Sequence, residues 1–233
     1  VIMVVFAAIG WACASWKVGL LALIGFYLVR AMDQWNNTMQ TLALVVVAVI
    51  LALIVAIPLG IWAAKSKRFS AIIKPILDFM QTMPSLAYLV PVIVLFGIGQ
   101  VPGAIATIIF ALPPGVRFTE LGIRGVDAET VEAGAAFGAS PRHILWRIQM
   151  PLAMPTVMAG VNQVIMLALS MVVLSGMVGA GGLGGDVVAA LSQVDIGLGM
   201  EAGLAVVVVA VYLDRITSGL ANRTPLARAQ RAS

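Results

Sequence analysis

Two groups of side chains in this sequence have types and spacings suited to chemistry, and neither is a catalytic constellation. The first is polar but uncharged: Gln81, Thr82, Ser85 and Tyr88 beside Pro84 and Pro91, then Asn162, Gln163, Ser170 and Ser175 on one apolar run. Amides and hydroxyls so placed can pass a polar solute along a wall, or bond helix to helix in an apolar medium. The second is charged and compact, running from Asp127 to Pro151. No G-x-x-x-x-G-K-[ST] occurs, so the chain has no loop of that type to cradle nucleotide phosphates. Gly179-Ala-Gly181-Gly-Leu-Gly184 matches G-x-G-x-x-G, but the dinucleotide reading needs a strand before it and a helix after it within a βαβ unit. A flexible turn at the end of an apolar run suits it better. His143 is the only histidine and has no cysteine beside it, which argues against a zinc or iron site. Gly199 and Gly203 have the G-x-x-x-G spacing of close helix packing.

These groups are held in an unusually apolar chain. Of 233 residues, 61% are hydrophobic and 10% charged, and the mean hydropathy is +1.06. Charged residues make up about a quarter of an ordinary soluble domain, so a soluble fold could not hide this much apolar surface. Lipid is the alternative solvent, and a helix needs roughly 20 apolar residues to cross it. Apolar segments cover Val1–Ala14, Val18–Val29, Thr38–Ala64, Pro84–Phe96, Val101–Phe118, Pro155–Val178 and Gly199–Leu213. The expectation is an all-α membrane protein, a polytopic bundle of about seven spans. Pro91 should interrupt the fourth and Pro113-Pro114 the fifth. The lone Cys13 allows no intrachain disulfide.

Orientation follows from Lys and Arg, which favour the cytoplasmic side. With the N-terminus outside, the inner loops hold Lys17, Lys65, Lys67, Arg68, Lys74, Arg117, Arg124, Arg142, Arg147, Arg215, Arg223, Arg228 and Arg231. Only Arg30 falls outside, so 13 of the 14 basic residues are cytoplasmic, as is the C-terminus. The pI near 9.6 therefore reports insertion and not a nucleic-acid partner. Three parts are expected: N-terminal peripheral spans over 1–34, a core over 35–218 with a cytoplasmic loop over 120–151, and a cytoplasmic tail over 219–233.

That loop carries specific punctuation. Asp127 and Glu129 open a helix at the end that favours negative charge. Gly138 suits the left-handed residue past its C-terminus. Ser140 caps a second helix with Pro141 at its first position, and Pro151 should stop that helix at the membrane. Small residues from Ala133 to Ala136 leave room for a close partner. Geometry alone leaves open a docking hairpin or an amphipathic hairpin on the membrane surface.

The spacing Glu132-Ala133-Gly134, three residues, Gly138, nine residues, Ile148-Gln-Met-Pro151 resembles the "EAA" loop of ABC importer permeases, with Gly134 for the second alanine and Met150 for leucine. Gln81-Thr-Met-Pro-Ser-Leu-Ala-Tyr88, Ile109-Phe-Ala-Leu-Pro-Pro114 and Pro151-Leu-Ala-Met-Pro-Thr-Val-Met-Ala-Gly-Val-Asn-Gln163 are similar to the glycine betaine/proline branch of that family. The likeness runs from about Trp35 to Thr217. It implies a type I importer (MetI-like) fold in a bacterial inner membrane and a pore made with a second permease, either an identical copy or a sister chain. Two ABC ATPase subunits that bind ATP and Mg, an extracytoplasmic substrate-binding protein and an osmoprotectant such as betaine, proline, choline or carnitine are implied too. An amino acid is the alternative solute. On this resemblance Glu132, Ala133, Gly134 and Gly138 couple to the ATPase, with Phe137, Ser140, Pro141 and Arg142 added on geometry. No cofactor is expected on the chain itself. An ion-coupled carrier would need charge at membrane depth, yet none occurs between Asp33 and Lys65, Asp78 and Arg117, or Arg147 and Asp186. An intramembrane enzyme lacks its constellation for the same reason.

Overall fold

Backbone amides in a chain this apolar must be satisfied within their own segments, which favours helix over open sheet. In the computed structural model, which describes residues 2–221, the ordered elements are all helical. Arg223, Arg228 and Arg231, counted above on the inner side, lie outside the described residues. The order is α1 (Ile2–Cys13), α2 (Trp16–Ala31), α3 (Trp35–Lys65), α4 (Lys67–Thr82), a 3-10 turn (Ser85–Tyr88), α5 (Leu89–Phe96), α6 (Gln100–Arg124) and α7 (Ala128–Ala136). Then come α8 (Pro141–Ile144), a π turn (Leu145–Gln149), α9 (Met150–Ser175), a second 3-10 turn (Gly176–Val178), α10 (Gly182–Gln193) and α11 (Ile196–Ala221).

The seven apolar segments differ in length. Four helices are long and apolar enough to cross a membrane: α3, α6, the continuous Pro141–Val178 and α11. The pair Lys67–Thr82 and Ser85–Phe96, bent by 110°, makes a fifth when counted as one span. At 12 and 16 residues, α1 and α2 fall short of the roughly 20 needed to span a bilayer.

Three local expectations are corrected. Pro113 and Pro114 do not interrupt α6, which runs unbroken from Gln100 to Arg124 with both rings buried among neighbouring helices, the setting in which a spanning helix tolerates proline. Pro151 does not stop the second loop helix, which continues into the membrane as one helix of 38 residues. The π turn supplies the reason. It inserts an extra residue per turn at Leu145–Gln149, widening the helix just where the Pro151 ring would strike the carbonyl four residues back. The Gly179–Gly184 run is a tight turn that leads into α10, wedged and not flexible. Gly179, Gly181 and Gly182 have φ of +76°, +76° and +60°, and a Cβ on Gly176 would strike the backbone of Gly184.

The core is a trio of α3, α6 and α9, with Val45, Val49, Ala52, Ala111, Val164, Ala168 and Val172 fully or nearly buried at its centre. Lipid offers no hydrophobic drive between helices, so close packing needs small residues at the crossing points. They are present: Gly60 lies against Thr119, and Gly115 against Ala56. By contrast, Gly203 faces open space, so the Gly199–Gly203 pair makes no tight crossing here.

Helix ends sort onto two faces. On one, Gly99 N donates to Val178 O at 3.0 Å, Asn37 bonds Asp186, and Leu183 N donates to the Thr41 hydroxyl at 2.9 Å. On the other, Arg124 donates to Ala63 O at 2.7 Å, and Gly219 abuts Ala14.

Candidate functional site

On that second face the α7–α8 hairpin forms as its punctuation requires. Asp127 caps α7, its carboxylate accepting from Glu129 N at 3.3 Å. At the other end Gly138 has φ +78°. Its N–H donates to Ala135 O at 2.9 Å, and Ala139 N donates to Gly134 O at 3.2 Å. These two bonds are the paired closure of a Schellman motif. The Ser140 hydroxyl then accepts from His143 N at 3.3 Å, with Pro141 in the first helical turn.

The hairpin's two limbs are unequal. The second is anchored: Leu145, Met150, Ala153 and Val157 pack with Ile123 of α6. The first limb has no buried residue. It rests on the second at Gly134, where a Cβ would lie 2.6 Å from Ile148 Cδ1 and 3.6 Å from Ile144 Cγ1. Gly134 therefore makes room for its own chain, which corrects the expectation that it makes room for a partner. Glu132, Ala133, Phe137, Gly138, Ser140, Pro141 and Arg142 are all exposed, Phe137 to 92%. A hairpin lying on lipid would need a stripe of large apolar residues along its first limb, and α7 carries only Val131. Beside the elbow, Ser140, Arg142, His143, Trp146 and Arg147 line an open cavity of about 280 Å³ with a basic rim.

The polar residues expected on a path separate into two sets. Tyr88, Asn162 and Ser175 are committed inside the chain. The Tyr88 hydroxyl donates to Met80 O. Asn162 donates to Asp214 at 3.1 Å and accepts from Thr217 at 2.7 Å. Ser175, 0% exposed, donates to Val172 O at 2.7 Å. Tyr88 and Ser175 are buried and Asn162 is half-buried, so within this chain these three bond helix to helix. Their polar groups must be satisfied within the bilayer, and intramolecular bonds do so. Gln81, Thr82, Gln163 and Ser170 stay exposed and Ser85 is half-buried. Gln163 and Ser170, seven residues apart, lie on one face of α9, about two turns from each other.

One polar cluster was not legible in the sequence. Glu120, where the cytoplasmic loop was expected to begin, lies inside α6 and is 4% exposed. Its carboxylate accepts from the Ser70 hydroxyl at 2.7 Å and pairs with Arg124 at 3.0 Å and Lys74 at 3.5 Å. Asp78 pairs with Arg117 one turn further along, and these charged side chains line a cavity of about 320 Å³ with Phe118 and Leu121. Leaving such a carboxylate without a partner would cost about 3–5 kcal/mol, so the network fixes α4 against α6. A cue exists in the spacing of Ser70, Lys74 and Asp78, one helical face of complementary charge to Arg117, Glu120 and Arg124.

Residues 56–223 match the model of the family described as "Binding-protein-dependent transport system inner membrane component". The chain is 49% identical over 220 residues to the glycine betaine/proline betaine transport system permease protein ProW of Escherichia coli K12, covering 94% of this chain and 62% of that protein. It is 49% identical over 217 residues to the glycine betaine transport system permease protein OpuAB of Bacillus subtilis 168, covering 93% and 77%. To the glycine betaine/carnitine transport permease protein GbuB of Listeria monocytogenes it is 51% identical over 203 residues, covering 87% and 72%. Thus it spans less than two thirds of the Escherichia coli relative. Among solved structures, a chain of the inward-facing MetNI methionine ABC transporter superposes with TM-score 0.69 at 22% identity, covering 84% of this chain and 95% of that one. This last likeness concerns fold, and it matches the expected MetI-like helical bundle.

Proposed function

The chain belongs to the family of binding-protein-dependent transport system inner membrane components, and from that premise we propose that it is the permease subunit of an ATP-driven importer of glycine betaine or a related osmoprotectant. The observation that carries this reading is the hairpin: an exposed first limb closed by Gly138 and seated on a helix that runs without a break into the membrane. The names of three relatives that are 49–51% identical support the solute class.

On this reading α7 docks on an ABC ATPase subunit through Glu132, Ala133 and Phe137, with Gly138, Ser140 and Pro141 holding the elbow and Arg142 at its rim. ATP and Mg sit on that partner. A second permease, an identical copy in the simplest assembly, completes the path, and an extracytoplasmic binding protein delivers solute to the outer face. The basic loops and the C-terminus face the cytoplasm of an inner membrane, a topology supported by the charge distribution. Closure of the ATPases pulls the hairpins together. Because Pro141–Val178 is one helix, that pull tilts α9 as a lever and swings its exposed Gln163 and Ser170 face. This is rigid-body switching between two packed arrangements.

The test is co-purification of the chain from its native membrane, followed by ATPase assays with and without betaine-loaded binding protein. Recovery of an ATPase whose activity rises with loaded binding protein supports the proposal. Recovery of the chain without any ATPase contradicts it.

A further inference from the structure

The buried carboxylate of Glu120 joins three helix ends, and one of them leads directly to the hairpin. On α4, Ser70 donates to it at 2.7 Å and Lys74 lies at 3.5 Å. On α6, Arg124 approaches at 3.0 Å, and the same guanidinium donates to Ala63 O in the last turn of α3 at 2.7 Å. After Arg124 only Gly125, Val126 and Asp127 precede α7. In the other direction, α4 feeds the 110° bend into α5.

The charges also define a register. The helices run antiparallel, with Lys74 opposite Glu120 and Asp78 opposite Arg117. A slip of one turn, about 5.4 Å, would set Lys74 against Arg117 in one direction and Asp78 against Glu120 in the other. Both slips oppose like charges and would take the buried Glu120 from its partners, so a ratchet of α4 along α6 is disfavoured. Instead α4 travels with α6 or separates from it. Apolar support comes from Ile73 and Leu77 packed on Val116 and Ala56, residues that hold α4 close without fixing its register.

We propose that Glu120 is a positioning residue that carries movement of the α7 hairpin through the end of α6 into α4, and so into the bent α4–α5 segment. This rests on the importer reading above. Glu120 touches neither solute nor nucleotide; it keeps the inner ends of α3, α4 and α6 moving as one body. Removing its charge while keeping its shape should leave docking intact and uncouple hydrolysis from transport.

The experiment uses the complete complex in proteoliposomes, with radiolabelled glycine betaine as solute and Cys13 replaced by Ser. Glu120→Gln keeps the volume and the Ser70 bond. The expected result is unchanged ATPase association with ATP consumed per solute raised by about fivefold or more. Spin labels at the exposed positions Ile72→Cys and Leu121→Cys should report one narrow distance with and without trapped ATP, broadened by Glu120→Gln. Should Glu120→Gln fail to reach the membrane, Lys74→Gln and Ser70→Ala carry the test, with a smaller rise in the same ratio. Wild-type stoichiometry and a narrow distance in the variants overturn the proposal. If the wild-type complex itself shows no ATP-driven uptake, the importer reading fails instead.

Discussion

The Cδ1 methyl of Ile148 stands 2.6 Å from the place a Cβ on Gly134 would occupy. The two limbs of the hairpin are therefore spaced by the absence of a side chain at position 134. The obstructing atom is the far end of a flexible side chain, which can turn away from one methyl but not from a branched group. Gly134→Ala should keep ATPase association and uptake within about twofold. Gly134→Leu should lift α7 from its seat at an overpacking cost of about 1–3 kcal/mol and reduce uptake at least tenfold. Uptake assays on both variants at matched membrane levels check this, and equal activity in the two would show that α7 is not seated on Ile148.

Gly138 offers a cleaner test of backbone conformation, because its φ is +78° and a Cβ there would meet nothing within 4 Å. A substitution pays only for the left-handed backbone, roughly 1–2 kcal/mol for most residues and less for Asn. Gly138→Asn should hold the elbow, whereas Gly138→Val should weaken ATPase association and abolish uptake while leaving membrane levels normal. Identical behaviour of Asn and Val variants in a pull-down would count against the elbow's role.

These contacts also show which parts of the fold are legible in sequence. Asp127, Gly138, Ser140 and Pro141 act within four residues of themselves, so their types and spacing suffice to place two helices and an elbow. Glu120 could not be read this way. A charged residue just past an apolar run looks solvated, and besides the local Arg124 it takes Ser70 and Lys74, about fifty positions earlier, to make it a buried hub. Likewise the partners of Asn162 and Tyr88, Asp214 and the Met80 carbonyl, cannot be read from local spacing. Pro151 reads as a stop because nothing in the preceding residues announces the π turn that admits it.

Phe137, 92% exposed at the C-terminal end of the first limb, is the natural anchor for the proposed docking partner. Fully burying a Phe side chain is worth about 1.5–3 kcal/mol, or roughly tenfold to a hundredfold in affinity. Phe137→Ala should weaken ATPase binding by that factor without changing thermal stability. Truncating one partner of a buried charge pair costs about 2–5 kcal/mol, so Glu132→Ala should weaken docking as well. Ser192→Ala, whose hydroxyl only bonds Val188 O of its own helix, should leave transport near wild type. Titration of the ATPase onto the permease in nanodiscs measures all three, and unchanged affinity for both docking variants would leave α7 as a surface helix.

Orientation has its own test. Lys67 and Arg147 belong with the inner loops and Asp195 with the outer face in the proposed topology. With Cys13 replaced, single cysteines at these positions should react with an impermeant maleimide on intact cells only at 195. Labelling at 67 or 147 with protection at 195 would invert the topology and remove the hairpin from any cytoplasmic ATPase.

The central claim is that energy reaches this chain from a docked ATPase. It is tested most directly by uptake of radiolabelled glycine betaine into proteoliposomes that hold the permease, its co-purified ATPase and its binding protein, with proton and sodium gradients collapsed by ionophores. The account predicts uptake that requires ATP, persists without ion gradients and disappears with Gly138→Val. Uptake that stops when the ionophores are added at constant ATP, or that proceeds with the ATPase absent, would contradict it.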